Sequence, residues 1–242
     1  MKTFCIFAPK STNYVYKMKR IIFLILLFAS MIANAQKEVT KFLGIPVDGF
    51  KSEMINKLKA KGFQYDKQFD WFTGEFNGYD VRLAIATNNN KVWRIMIQDA
   101  HYTDEANIKI RFNKLCRQFE NNKKYVSSTL MPDQSISDDE DISYEMMVQK
   151  KRYDAAFYQV PTSLDSLEIA EVRNRLLEKY TEEELAKPEE EQSREVKIDT
   201  VQYVLDKYSK RNVWFMIDEK YGEYRIIMYY DNEFNHSDGE DL

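Results

Sequence analysis

Residues 71–99 read WFTGEFNGYDVRLAIATNNNKVWRIMIQD, and the period of that string decides the fold. Val81, Leu83 and Ile85 alternate with Asp80, Arg82 and Ala84, and Trp93, Ile95 and Ile97 alternate with Val92, Arg94 and Met96. A period of two places successive side chains on opposite faces of a strand. Asn77-Gly78 is a strong hairpin signal, because both residues accept the positive φ of a type I′ turn, and Asn88-Asn89-Asn90 marks a second turn. The stretch therefore predicts a three-stranded antiparallel meander with one buried face. On this register Phe72 and Phe76 join the buried set, while Trp71, Thr73, Glu75, Arg82, Arg94 and Met96 share the opposite face.

Working outward, the preceding segment FLGIPVDGFKSEMINKLKAKG (42–62) predicts a short helix. Asp48 is the candidate cap, accepting from free amides, and Phe50, Met54 and Leu58, with Ile55 beside them, form an apolar stripe. Lys57, Lys59 and Lys61 suit the negative end of the helix dipole, and Gly62 suits a left-handed stop. After the meander, Thr103 is expected to cap a second helix with Asp104 and Glu105 in its first turn. Ile108, Phe112, Leu115, Cys116 and Phe119 form its stripe.

The next part of the chain repeats these themes less clearly. Residues 125–141 read as a polar loop, 142–150 and 153–160 as two strands, 164–180 as a helix, and the acid-rich 181–195 as an exposed connection. Val201, Val204, Leu205 and Tyr208 predict another helix. A final hairpin is expected to join Val213–Ile217 to Tyr224–Tyr230 through DEKYG, and 232–242 is expected to be a flexible tail. VWRIMIQD (92–99) echoes VWFMID (213–218) and YRIIMYYD (224–231). Duplication and the convergence of amphipathic strands both account for the echo. The fold class is thus α+β, an antiparallel meander sheet with helices on one face. Its parts are a unit over 36–124 and a second α+β half over 125–231, the two being similar if the chain is duplicated.

Residues 18–35, MKRIIFLILLFASMIANA, have the basic start, apolar run and small-residue pattern of a signal peptide, with cleavage expected before Gln36. The apolar run is shorter than the roughly 20 residues needed to span hydrocarbon, so no stable membrane span is expected after cleavage. A leader with its charges close to its start places the initiator at Met18, with 1–17 as upstream sequence. No cysteine follows closely enough to take a lipid. The leader removes Lys2, Lys10, Lys17, Lys19 and Arg20 from the 35 basic residues and none of the 39 acidic ones, leaving a net charge of −9. That balance argues against nucleic acid, whose binding depends on neutralised phosphates. Cys116 remains as a lone thiol on an apolar helix face, a small buried hydrophobe.

The residues of common chemistries are missing or scattered. His101 and His236 are the only histidines, and neither lies in a nucleophile frame. Zinc needs clustered Cys and His, and phosphate loops need glycine runs. The acid run 181–195 lacks calcium-loop spacing. No catalytic residue, cofactor or metal is therefore expected. A glycosidase-type carboxylate pair stays open, since acids are abundant and their separation in space is not encoded locally.

FLGIPVDGFKSEMINKLKAKGF, GEFNGYDVRLAI, KVWRIMI and the terminal IIMYYDNEFNHSDGEDL resemble a group of exported Bacteroidetes proteins. That resemblance covers most of the chain and implies export, to the periplasm or the medium, while carrying over no site residue. The order of a helix followed by a meander is also similar to the β-lactamase-inhibitor-protein-like and outer-membrane small-protein-A-like folds, which bind other proteins through the sheet or its loops. Together these readings lead to an expected non-catalytic binding module for a protein or glycan of the cell envelope, with Trp71, Arg82, Arg94 and Met96 as partner-binding residues. The alternatives are a carboxylate-dependent hydrolase acting on polysaccharide or peptidoglycan, and a structural accessory of an envelope complex.

Overall fold

The computed structural model describes residues 38–128, 134–161 and 166–237. The expected leader and its cleavage point lie outside the described residues, as does the end of the tail from 238 onward. Alternation over 71–99 produces β4 (Trp71–Phe76), β5 (Tyr79–Asn88) and β6 (Lys91–Asp99), the predicted meander. Asn77 and Gly78 hold φ of 54° and 77°, and Asn89 and Asn90 hold 47° and 62°. Both turns thus have the left-handed pair of a type I′ hairpin. A short strand, β3 (Gln64–Asp66), extends the meander at its outer edge, where Tyr65 packs against Phe72.

The rest of the sheet comes from the second half of the chain: β7 (Tyr125–Ser127), β8 (Asp154–Gln159), β9 (Asn212–Lys220) and β10 (Glu223–Asp231). The eight strands run β3-β4-β5-β6-β10-β9-β8-β7, every neighbour antiparallel. The last hairpin turns at Tyr221-Gly222, both with positive φ, so Asp218, Glu219 and Lys220 belong to β9 rather than to the turn. A separate two-stranded hairpin, β1 (Lys41–Phe42) and β2 (Ile45–Pro46), precedes the first helix.

Helix α1 (Lys51–Ala60) buries Met54 and Leu58 as expected, but its cap differs. The N-cap is Phe50, whose ring is 51% exposed, while the Asp48 carboxylate accepts from Gly49 N and Asn235 Nδ2, each at 2.7 Å. Helix α2 (Glu105–Glu120) buries its predicted stripe. Its cap is Asp104, which accepts from Asn107 N at 2.9 Å. Thr103 is instead drawn into a two-way backbone bridge with Tyr224. The expected strand over 142–150 is in fact helix α3 (Ile142–Met147). There Asp141 accepts from Tyr144 N at 2.8 Å and Glu105 from Ile142 N at 3.0 Å. Two carboxylates satisfying first-turn amides favour a helix over a strand. The strand belongs to the supposed loop, as β7, and Ile136 of that loop is buried.

Between β8 and β9 the chain inserts α4 (Ser166–Leu177), the one-turn α5 (Glu182–Leu185), a 3-10 turn and α6 (Arg194–Tyr208). Val172, Leu176, Val196, Leu205 and Tyr208 are buried there, apart from the main core, whereas Val201, expected inside, is 44% exposed. The main core lies on the sheet face covered by α1 and α2. Phe112 and Phe119 of α2 meet Phe157 and Phe215 at ring separations of 4.8–5.6 Å.

The two halves share an arrangement: α1 then β3 to β6, and α2 then β7 to β10, joined through their last strands. Where the first half turns from β4 to β5 in two residues, the second inserts the helices α4 to α6. The echoing strings do not align with this arrangement. Aligning them equates Met96, which faces away from the core, with Met228, which is buried in it.

Phe215→Ala should lower stability by about 3–5 kcal/mol, the usual cost of emptying a packed aromatic site, whereas Val201→Ser should change it by less than about 0.5 kcal/mol. Urea unfolding checks both, read as a shift in midpoint at constant slope.

Candidate functional site

The face of the sheet turned away from α1 and α2 carries the four sequence-predicted residues, and a bulge in β6 shapes its centre. Ala86 faces Arg94 while Thr87 faces Val92, so Trp93 has no partner on β5. An extra residue breaks the alternation. Val92 turns inward and is fully buried, which places Trp93 beside Arg94 instead of in the core, contrary to the simple alternation. Asn232 N donates to Trp93 O at 2.7 Å and holds the bulge in place.

Arg94 is directly opposite Asp231 on β10 and makes a two-pronged pair, Nε to Oδ1 at 2.6 Å and Nη2 to Oδ2 at 2.7 Å. Trp214 Nε1 also donates to Oδ2, at 2.9 Å. The guanidinium lies 4.3 Å from the Trp93 ring centre, 4.6 Å from Tyr229 and 5.5 Å from Trp214, and Trp214 stacks on Tyr229 at 4.2 Å. Burial pushes the Tyr229 phenol above its ordinary value. This is the architecture of an aromatic cage for a cation, and the protein's own Arg94 occupies it. Asp231 is 1% exposed, while Arg94 keeps 24% of its side chain in solvent.

Two rows cross the strands at this centre. Ala84, Met96, Tyr229, Trp214 and Ala156 face one another in turn. The neighbouring row is Arg82, Gln98, Ile227, Met216 and Asp154. All but the exposed Asp154 are partly exposed, so solvent reaches this face along both rows. Trp71 and Arg82 form a second group, the guanidinium 4.9 Å from the indole. The structure thus brings Trp71, Arg82, Arg94 and Met96 onto one face, as two clusters separated by Ala84 and Ala86.

Trp214, Tyr229 and Asp231 escaped the sequence reading, although the alternation used for β5 and β6 would have put them on one face of the last hairpin. What no local pattern encodes is that this hairpin pairs with β6. Residues 232–237, expected to be flexible, are held in place. Asn232 is fully buried and donates to Val47 O, Asn235 donates to Val92 O, and the His236 ring sits 4.6 Å from Trp93.

Other polar clusters show less. His101 is an exposed residue 3.8 Å from Asp80. Among the described residues no group of three His, Cys, Asp or Glu side chains could hold a metal ion. A cleft of about 240 Å³ between α4 and α6 is lined by Arg175, Lys179, Tyr180, Asp199 and Tyr203, but its charged groups pair with each other. The carboxyls of Asp70, Asp104, Asp139, Glu140, Glu184 and Asp199 are all held below their ordinary values by hydrogen-bond donors. A general acid requires the opposite shift. Glu140 accepts from Lys151 Nζ and the Tyr153 hydroxyl, and burial together with that carboxylate raises the Tyr153 phenol.

The chain matches no protein-family model, no curated protein and no solved structure.

Arg94→Ala should cost about 3 kcal/mol by stranding the buried Asp231 carboxylate, and Arg94→Met with Asp231→Leu should recover most of it. Chemical denaturation of the three variants measures this. Glu140 has a depressed pKa in the folded protein, so its contribution is present above its ordinary value near 4.5 and is lost as pH falls through the folded value. Glu140→Gln should therefore flatten the decline of thermal midpoint below about pH 4.5, and match wild type's slope at pH 6–8.

Proposed function

We propose that this chain is an exported, non-catalytic binding module that holds a protein partner against the open face of its sheet. The observation that carries this reading is the Arg94 cage with the rows beside it: Trp, Tyr, Met and Arg, the types enriched at interface centres, all partly exposed on a continuous face. From β4 to β8 the face spans five strand spacings, roughly 24 Å, a width suited to a flat contact. Stacking and the two-pronged ion pair already fix the rotamers, so little side-chain freedom is left to lose on association. The apolar run and A-x-A pattern of 18–35 support export to the periplasm or the medium, and the helix-then-meander order supports a binding role by resemblance alone. The second reading, a carboxylate-dependent hydrolase, lacks an acid shifted upward among the displaced carboxyls.

Arg94 is a poor probe of this face because its loss destabilises the fold. Met96→Glu places a charge at the centre of the face without breaking a pair, and Trp71→Ala removes the flanking platform. The chain from Gln36, used as bait against envelope extract and culture medium of the producing cell, should capture a protein that both variants fail to retain while keeping their circular dichroism. Equal capture by folded variants would move the contact off this face. Release of the captured material by glycan cleavage would favour a glycan.

A further inference from the structure

We infer that the partner segment held on this face is acidic, with two carboxylates about four residues apart in extended chain that seat on Arg82 and Arg152. This rests on the binding reading and adds the chemistry of the partner.

The face carries positive charge that the chain leaves unmatched. The cations around the face divide into two kinds. Arg94 is neutralised by Asp231, and Arg225 by Asp218 at 2.8 Å while it also covers the Tyr102 ring. Arg82 and Arg152 have no carboxylate partner among the described residues. Arg82 lies on the Trp71 ring at 4.9 Å and Arg152 Nη2 donates to Met216 Sδ at 3.7 Å. Both guanidiniums are thus positioned by weak contacts that leave their charge unmatched. The nearby acids sit at the rim: Glu75 and Asp80 are opposite each other at the end of β4 and β5, Asp80 turned to His101 at 3.8 Å, and Asp154 ends the row opposite Met216. In a chain with an acidic excess after leader removal, unmatched arginines on the one face rich in exposed aromatics mark complementarity to an acidic surface.

The spacing follows from register. Arg82 faces Gln98, Gln98 faces Ile227, and Ile227 faces Met216, over which Arg152 reaches. Three strand spacings separate the ends, roughly 14 Å. An extended peptide advances about 3.4 Å per residue, so residues i and i+4 cover that distance, and even spacing keeps both on the same side. The residue between them, i+2, then falls midway between Gln98 and Ile227, and Ile227 offers it an apolar contact. The recognised pattern is acidic-x-apolar-x-acidic.

The test uses three labelled nine-residue peptides, GSETLTEGS, GSQTLTQGS and GSKTLTKGS, titrated by fluorescence anisotropy into the chain from Gln36. The glutamate peptide should bind at least tenfold more tightly than the lysine peptide, with affinity falling as salt rises. Arg82→Glu with Arg152→Glu should invert that preference. Equal affinities, no saturable binding, or a glutamate preference that survives the double reversal would overturn the inference. The same double variant, used as bait for the native partner, separates the two readings. Capture lost by Met96→Glu but retained by the double reversal sinks the acidic partner and leaves the binding face standing. Capture indifferent to all of these variants sinks both.

Discussion

The antiparallel pairing of β6 with β10 is the constraint on which the structure depends. Each four-stranded meander ends in a strand whose free edge would face water, and the two edges satisfy each other over five paired positions. Both central strands are fixed by a buried aspartate. On one face Asp231 of β10 is held by Arg94 of β6. On the other, Asp99 of β6 takes Arg111 of α2, Nη2 to Oδ1 at 3.0 Å, and that guanidinium lies 3.4 Å from the Tyr79 ring centre. The Arg111 Nη1 atom is buried without a hydrogen-bond partner, and the ring beneath the guanidinium offers its π face in place of an acceptor. The two ion pairs do different jobs: the inner pair ties a helix to the sheet, the outer pair ties the halves together.

Legibility in the sequence followed the range of the information. The meander and its Asn-Gly turn were readable because period and turn chemistry are local. The stripe of α2 was readable for the same reason. Caps were misassigned by one or two residues, because Asp48 and Thr103 are capable of capping but were claimed by longer-range partners, Asn235 and Tyr224. Helix α3 was misread as a strand because six residues carry little periodic signal and Glu105, which helps to start it, is far away in sequence. Trp93 was misplaced because a bulge adds one residue, which swaps the faces of Val92 and Trp93 relative to the regular alternation that follows from Arg94 onward. For the site, Trp71, Arg82, Arg94 and Met96 were legible as one face of the first meander. The cage itself was not, because it exists only where distant strands become neighbours.

The shared plan of the halves gives a way to understand their differences. In the first, a two-residue turn keeps β4 and β5 close and the edge short. In the second, the same position holds a helical excursion with its own small buried cluster, and the edge is finished by Gln134, whose side chain accepts from Ala156 N at 3.0 Å. The face that carries Arg94 and its aromatic cage lies between these unlike ends, on the strands where the halves meet.

Strand order also has a kinetic consequence. β10 is the last strand among the described residues and occupies the middle of the sheet, while its neighbour β6 is made more than a hundred residues earlier. A chain emerging from its N-terminus can build the first meander, yet it cannot join the halves until β10 is available, because the closing contacts span such long loops. Until then the free edge of β6 stays open to other strands. The halves therefore join only once β10 has been made, and a truncation within that strand would leave two half-sheets with no means of joining.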